Sequence, residues 1–253
     1  MSFPVYIALG PWQIHPHFFF EMLAYTLGFQ FYRWLSKRST VKIPSEYTLW
    51  FLIACVAGAA VGARILAWIE TPYDVVTGQW IAPGKTIVGG LLGGWIGIEG
   101  VKAYFGIRQR TGDSYVLPLA LGIALGRLGC FFTGLSDHTY GIATSLPWGI
   151  DFGDGVLRHP TQLYESLFLL ITAILLALFR KRLQAQGLMF RAFMGAYLSF
   201  RLGVEFMKPS LKIYGGLSAI QWACILGLIA LAISLRRMQQ AGTSNAEVPS
   251  RNH

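Results

Sequence analysis

Apolar residues dominate seven stretches of the chain, each long enough for a membrane-spanning helix, which takes about 17 to 25 residues. Charged side chains interrupt several of these stretches, and those interruptions carry most of the functional information. The stretches are His17–Leu35, Tyr47–Ile69, Lys85–Phe105, Val116–Gly134, Leu163–Phe179, Leu188–Met207 and Leu217–Leu235. The pattern predicts an all-α, polytopic integral membrane protein with about seven transmembrane helices around a central cavity.

The predicted helices form one transmembrane domain over residues 1–238. A long outer loop at residues 135–162 interrupts it, and loops of this length are more often functional than idle. Residues 239–253 are polar and contain turn-forming side chains, so they are predicted to be a disordered tail.

Positive charge collects after alternate stretches, which predicts the orientation of the chain. The clusters comprise Arg33, Lys37, Arg38 and Lys42; Lys102, Arg108 and Arg110; Arg180, Lys181, Arg182 and Arg191; and Arg236 and Arg237. All of them lie on the cytoplasmic side if the amino terminus is outside and the carboxyl terminus is cytoplasmic. Lys208 and Lys212 fit this arrangement least well.

Composition supports a membrane protein and argues against several other classes. Hydrophobic residues make up 54% of the chain, charged residues 13%, and the mean hydropathy is +0.48. The net charge of +9 comes from clusters beside apolar stretches, which argues against nucleic-acid binding. The amino terminus lacks the features of a cleaved signal peptide. Three cysteines within apolar stretches do not suggest a disulfide framework.

Short catalytic and metal-binding motifs are absent from the sequence. It has no HExxH or CxxC pattern for a metal ion and no GxSxG pattern for a serine hydrolase. We therefore expect no metal site and no cofactor.

Glycines spaced four residues apart in the second to fourth stretches, such as Gly58 and Gly62, predict close packing of helix backbones.

Two arginines are predicted to reach the same depth in the membrane. At about 1.5 Å per residue, Arg127 lies about 17 Å and Arg201 about 20 Å from the cytoplasmic face. Two guanidinium groups at one depth repel each other unless an anion lies between them, and a phospholipid phosphate is the natural candidate. The cavity is therefore predicted to bind lipid. The alternative is a set of buried ion pairs, for instance Arg201 with Glu205, or Arg64 with Glu70.

The outer loop supplies candidates for a general base. Histidine titrates near neutral pH, which makes His159 and His138 the first choices, and Asp137 a further one.

Several motifs resemble the bacterial prolipoprotein diacylglyceryl transferases, which are inner-membrane enzymes with seven spans. GRxGxFxxG and RHPTQLYE, in this order and at this spacing, are specific, whereas GARxL and GLSxxQ are weak individually. The resemblance covers nearly the whole chain, as GARILAW, GGLLGGWIG, GRLGCFFTG, RHPTQLYES, GAYLSFRLGVEF and GLSAIQ.

The resemblance implies transfer of the diacylglyceryl group of phosphatidylglycerol to the lipobox cysteine of a prolipoprotein signal peptide, with release of glycerol phosphate. It implies a multi-pass protein of the bacterial cytoplasmic (inner) membrane, acting in lipoprotein biosynthesis. Arg127 and Arg201 are then expected to hold the lipid phosphate, with Tyr197 in the same site. Gln162, Tyr164 and Glu165 are expected to shape its outer mouth.

The sequence departs from the family pattern at two chemically important positions. Val88 stands where the family usually has a histidine before the GGL glycines, and Cys130 stands where asparagine is expected after GRxG. Two alternatives therefore stay open: a relative that uses the same lipid but another acceptor, and a non-enzymatic phospholipid-binding protein. A seven-span receptor is disfavoured by the mid-depth charges and the short inner loops.

Overall fold

The computed structural model describes residues 3–37, 45–72, 84–107, 111–185 and 187–246. Within them the protein is mostly helical, with two short antiparallel hairpins. The helices are α1 (Pro16–Ser36), α2 (Ser45–Glu70), α3 (Ile87–Tyr104), α4 (Val116–Thr133), α5 (Thr161–Leu178), α6 (Arg180–Ala185), α7 (Met189–Val204) and α8 (Ala219–Ala246). The strands are β1 (Ile7–Leu9), β2 (Trp12–Ile14), β3 (Ile150–Asp151) and β4 (Leu157–Arg158).

Four helices in the described part of the chain are long and apolar enough to cross a membrane: Glu46–Glu70, Val116–Asp137, Thr161–Leu178 and Ala219–Gln240. They fall within the second, fourth, fifth and seventh predicted stretches or extend them slightly. Helices α1, α3 and α7 occupy the other three stretches but are shorter or more polar. The fold is thus a mostly helical membrane fold.

Helix pairing places the core around α4. Helix α1 packs along α4, α4 packs against α5, α2 packs along α3, and α7 packs against α8. Two aromatic side chains of α7, Phe193 and Tyr197, are fully buried in the core. The fully buried Leu169 of α5 and Val116 at the start of α4 belong to the same cluster.

The amino-terminal segment is attached to the carboxyl-terminal end of α4. The nitrogen of Val5 donates a hydrogen bond to the carbonyl of Phe132, 2.9 Å away. Gly134 ends α4 with a positive φ of 75°, and a Cβ atom there would lie 2.6 Å from the Cβ of Phe3. Only glycine satisfies both the backbone conformation and the close approach. The GRLGCFFTG motif therefore ends in a structural glycine.

Glycines give α2 and α3 their close contact, as their spacing predicted. A Cβ atom on Gly93 would overlap the carbonyl oxygen of Gly58, and one on Gly62 would overlap that of Gly89. Backbone thus meets backbone along this pair of helices, which is the role of small residues at four-residue spacing. Gly90 faces another direction, where a Cβ atom would make ordinary contacts at 3.7 and 3.8 Å.

The GLSAIQ motif caps the start of α8. The nitrogen of Gln221 donates to Ser218 Oγ at 3.2 Å, and the nitrogen of Ser218 donates to Gln221 Oε1 at 2.9 Å. This reciprocal pair is a capping box, which satisfies backbone donors that a helix start leaves unpaired. Both side chains are fully buried, so the motif has a clear structural function.

Helix α8 continues to Ala246, past the point at which the sequence analysis places the start of a disordered tail. Met238, Gln239, Gln240 and Ala241 favour helix, so a polar composition there is compatible with a helix that continues beyond its apolar part. Residues 247–253, the rest of the expected tail, lie outside the described residues.

We expect Gly93→Ala to destabilise the protein by about 1 to 3 kcal/mol, because the added methyl group forces α2 and α3 apart. Thermal unfolding of the detergent-solubilised protein measures the change. Gly90→Ala is the matched control on the same helix, and its effect is neutral or slightly stabilising because alanine is the better helix former. Equal losses in the two variants would contradict a backbone contact at Gly93.

Candidate functional site

One carboxylate oxygen connects the two arginines that the sequence predicts to lie at the same depth in the membrane. Glu165 Oε2 lies 2.9 Å from Arg127 Nη2 and 3.2 Å from Arg201 Nη1. The three residues come from α5, α4 and α7, respectively. Their exposed fractions are only 1%, 6% and 3%. The structure therefore brings the guanidinium groups together, and the anion between them is a side chain of the protein.

Two more side chains complete this arrangement. Arg201 Nη2 donates to Glu205 Oε2 at 2.7 Å, one helical turn further on. The hydroxyl of Tyr197 donates to the second oxygen of Glu165 at 2.6 Å. We call Arg127, Glu165, Arg201 and Glu205 the ion-pair cluster. The Arg201–Glu205 pair kept open in the sequence analysis is therefore present.

The formal charges of the ion-pair cluster sum to zero, since two guanidinium groups face two carboxylates. Isolated charges at this depth cost several kcal/mol, and mutual pairing with hydrogen bonds offsets that cost. Glu165 was expected at the outer mouth of the site. It instead lies at the centre, because it is near the start of α5 where that helix packs against α4.

Some polar atoms around the ion-pair cluster are buried without partners. Among the described residues, Nε of Arg127 and Nε of Arg201 have no hydrogen-bond acceptor, and neither amide atom of Gln162 has a partner. Gln162 is 1% exposed and lies one turn before Glu165 on α5. Buried polar groups are almost always satisfied in native proteins. The two Nε atoms and the amide nitrogen of Gln162 are donors, so they are suited to a ligand that presents several acceptor oxygens.

A second set of contacts lies at the start of α5. The hydroxyl of Tyr164 accepts a hydrogen bond from Trp148 Nε1 at 2.8 Å and lies 3.2 Å from His159 Nδ1. His159 is partly buried, and Trp148 is exposed on the loop between α4 and α5. The RHPTQLYES segment thus provides both the central Glu165 and the histidine beside Tyr164.

The remaining candidates occupy varied surroundings. Val88, at the position of the expected histidine, is 1% exposed within the apolar core. Arg64 is half-buried on α2. His138 is exposed and has a left-handed backbone with φ of 53°. A buried valine cannot take part in proton transfer, so the position before the GGL glycines has only a packing function here.

Cys130 lies close to the ion-pair cluster. Its sulfur is 3.9 Å from Arg127 Nη1, and its side chain is buried. On its other side are Asp137, from the turn that follows α4, and His17, from the first turn of α1. His17 is not recognisable as a site residue from the sequence, because a lone histidine at the edge of an apolar stretch belongs to no motif spacing.

Lys208 is another residue whose environment only the structure reveals. It follows the turn Glu205–Met207, and its nitrogen donates to the carbonyl of Glu205 at 3.2 Å. Burial, followed by the positive charges of Arg201 and Arg127, lowers the pKa of Lys208 from 10.5 to about 7. A lysine with this pKa is partly neutral at neutral pH and can accept a proton. It joins His159 as a candidate base.

The fold and the buried polar site define a helical membrane protein with a charged centre, and comparison with known proteins specifies the class. The sequence model of the prolipoprotein diacylglyceryl transferases matches residues 4–236. The chain therefore belongs to the prolipoprotein diacylglyceryl transferase family, and it is a transferase.

Two relatives of this family align with the chain over most of their length. The phosphatidylglycerol–prolipoprotein diacylglyceryl transferase of Vibrio campbellii is 30% identical, with 84% of this chain and 82% of the relative aligned. The enzyme of the same name from Bordetella parapertussis is also 30% identical, over 90% of this chain and 92% of the relative.

We expect Glu165→Gln to lower the free energy of unfolding by about 3 to 5 kcal/mol, because two buried guanidinium groups lose the charge that faces both of them. Thermal or denaturant unfolding in detergent measures the loss. Glu99→Gln is the matched control: Glu99 pairs with Lys102 but is 53% exposed, so about 1 kcal/mol or less is expected. Similar losses in both variants would argue against a central role for Glu165.

We expect Lys208 to titrate near pH 7, well below the ordinary range of lysine. Reductive methylation with ¹³C keeps the amine titratable, and the chemical shift of its methyl groups then reports its protonation. Lys208→Arg removes the resonance and so assigns it. An assigned resonance that titrates only above about pH 10 would contradict the burial of this amine beside the arginines.

Proposed function

We propose that this chain transfers the diacylglyceryl group of phosphatidylglycerol to the lipobox cysteine of a prolipoprotein. The observation that carries the proposal is the pair of buried arginines at one carboxylate, each with an Nε donor that has no acceptor among the described residues. A phosphate presents several acceptor oxygens and a negative charge, which match these donors. The relatives' names specify the same lipid and acceptor.

The proposed reaction is a displacement at the glyceryl carbon. The thiolate sulfur forms a bond to that carbon, the bond from the carbon to the phosphate oxygen breaks, and glycerol phosphate leaves. Negative charge then increases on the leaving phosphate. Arg127 and Arg201 stabilise that charge from fixed positions, and such preorganised electrostatic stabilisation is usually the largest single contribution to catalysis. Glu165 and Glu205 hold the guanidinium groups in place before the lipid binds.

The proton of the acceptor thiol requires a base, because a thiol with an ordinary pKa near 8.5 is mostly protonated at neutral pH. His159 is a candidate because it lies beside Tyr164 at the start of α5, the helix that carries Glu165. Lys208 is the second candidate because its pKa is about 7. In this proposal Gln162 and Tyr164 bind substrate at the outer end of the site.

We further propose seven spans in the bacterial cytoplasmic membrane, with the amino terminus outside and the carboxyl terminus in the cytoplasm. Helices α1, α3 and α7 would be the less apolar spans, packed against the four strongly apolar ones. The basic clusters support this orientation. Lys208 would lie on the outer side in this orientation. It argues against the orientation less strongly than an ordinary lysine would, because a pKa of about 7 leaves it only partly charged.

A second candidate function is transfer from the same lipid to a different acceptor. The observation that favours it is the altered chemistry beside Arg127: Cys130 contacts that arginine where the family pattern has asparagine, and Val88 is buried in the apolar core. The phosphate-binding part of the site would then be retained while the acceptor side differs.

Expression in bacteria depleted of their own diacylglyceryl transferase tests the proposal. The chain is expected to restore growth and to lipidate a lipobox substrate. Arg127→Gln and Arg201→Gln should each lower the rate by about 100-fold or more, because each removes a fixed donor to the leaving phosphate. Quantitative mass spectrometry of lipopeptides and of glycerol phosphate measures both products.

The control is Arg191→Gln, on the same helix as Arg201 but bonded to Ser234 Oγ and the carbonyl of Gly187. Its activity should stay near that of the unmodified chain, while immunoblots of membranes confirm equal insertion of all variants. Release of glycerol phosphate without lipidated lipobox peptide would favour the second acceptor. Bound phosphatidylglycerol without any product would favour a non-enzymatic lipid-binding protein.

A further inference from the structure

Three potential metal ligands meet at the outer end of α1 and α4. His17, Cys130 and Asp137 each present one ligand atom, and these atoms all lie within 4.8 Å of one another. His17 Nδ1 forms an ion-pair contact of 3.2 Å with Asp137 Oδ1, but this buried nitrogen makes no hydrogen bond of good geometry within the described part of the chain. The imidazole and the carboxylate thus lie close together while the nitrogen keeps its capacity to bind a further partner.

We propose that His17, Cys130 and Asp137 form a binding site for one divalent transition-metal ion of the zinc type. A thiolate, an imidazole and a carboxylate are the three ligand types that zinc accepts, at about 2.0 to 2.3 Å. Tetrahedral bonds of this length separate ligand atoms by roughly 3.3 to 3.8 Å, so small side-chain movements suffice. Three protein ligands leave a fourth position open, as in catalytic zinc sites.

Each proposed ligand has a polar neighbour that can orient it. His17 Nε2 lies 4.0 Å from the carboxylate of Glu21, and Thr139 Oγ1 donates to the second oxygen of Asp137 at 2.6 Å. The sulfur of Cys130 is 3.9 Å from Arg127 Nη1. Support of this kind from outside the ligand set is a regular feature of protein metal sites.

Helix packing explains why the ligands meet although they are distant in the sequence. A Cβ atom on Gly129 would lie 2.8 Å from the Cβ of Phe20 and 3.4 Å from the Cα of His17. Glycine at this position allows α1 to approach α4 closely, and Cys130 is the next residue. The sequence motifs predicted no metal site because such motifs place ligands near one another in the chain, whereas these ligands come from two helices and a turn.

The charges of this arrangement are compatible with the neighbouring arginine. A divalent cation bound by one thiolate and one carboxylate is formally neutral, so it does not repel Arg127. Its bond to Cys130 would place the ion within about 6 Å of the guanidinium group. The open position would thus supply a Lewis acid beside the ion-pair cluster, suited to a thiolate or a phosphate oxygen.

Cobalt titration of the full-length protein tests the site, because a thiolate bound to Co²⁺ gives a charge-transfer band in the near ultraviolet. The protein carries Cys55→Ser and Cys224→Ser, which leave Cys130 as the sole thiol. After removal of metal with a chelator, we expect one Co²⁺ per chain and its displacement by Zn²⁺. Zn²⁺ should also protect Cys130 from alkylation.

Substitutions then assign the ligands. Cys130→Asn, which introduces the residue of the family pattern, should remove the band. His17→Ala and Asp137→Asn should each weaken metal affinity by at least about tenfold. His138→Ala is the matched control, since this exposed histidine adjoins Asp137 but is not in the ligand set, and it should bind as the unmodified chain does.

The proposal is overturned if the folded Cys130-only protein shows no stoichiometric band, if binding survives Cys130→Asn, or if His138→Ala weakens it as much as His17→Ala. Thermal unfolding confirms that each variant is folded. Alkylation of Cys130 that depends on His17 but is unaffected by Zn²⁺ would likewise overturn it, and would indicate a cysteine–histidine nucleophile. The readout is metal binding alone, so the result is independent of whether the chain transfers diacylglyceryl groups.

Discussion

The ion pairs of the buried Glu165 carboxylate with Arg127 and Arg201 are the interaction on which the rest of the site depends. Two guanidinium groups in an apolar helix bundle repel each other and lose their hydration, and Glu165 offsets both costs with one oxygen atom. Because Arg127 is on α4 and Arg201 on α7, this oxygen also fixes the position of both helices relative to α5. The same contacts that stabilise the bundle therefore orient the groups proposed to bind phosphate.

The RHPTQLYES segment couples the loop between α4 and α5 to this centre. Its first half belongs to the loop: the nitrogen of His159 donates to the carbonyl of Ile142, and the carbonyl of His159 accepts from the nitrogen of Gly141. The nitrogen of Ile142 in turn donates to the carbonyl of Met207, beyond α7. The second half of the RHPTQLYES segment begins α5 and carries Glu165. One continuous segment thus links the loop, the base candidate His159 and the ion pairs.

One region of the site follows the family's sequence pattern, and another departs from it. The arginines and the RHPTQLYES segment follow that pattern and form the ion-pair cluster. The neighbourhood of Cys130 departs from it, and there a thiol, an imidazole and a carboxylate meet within 4.8 Å. Substitution of a neutral amide by a thiol changes the available chemistry from hydrogen bonding to metal binding or nucleophilic attack. Any functional divergence from the relatives is therefore expected on this side of Arg127.

The sequence by itself determined the helical membrane fold and the family, and it predicted a matching depth for Arg127 and Arg201, because hydropathy, motif order and helical rise are local properties of the chain. The glycine spacing likewise predicted the contact of α2 with α3. Only the tertiary structure showed that Glu165 lies between the arginines, that Lys208 is close enough to them for its pKa to fall, and that His17 meets Cys130. Those features depend on which helices pack together and at what distance, and residues far apart in the sequence carry no local signal of that packing.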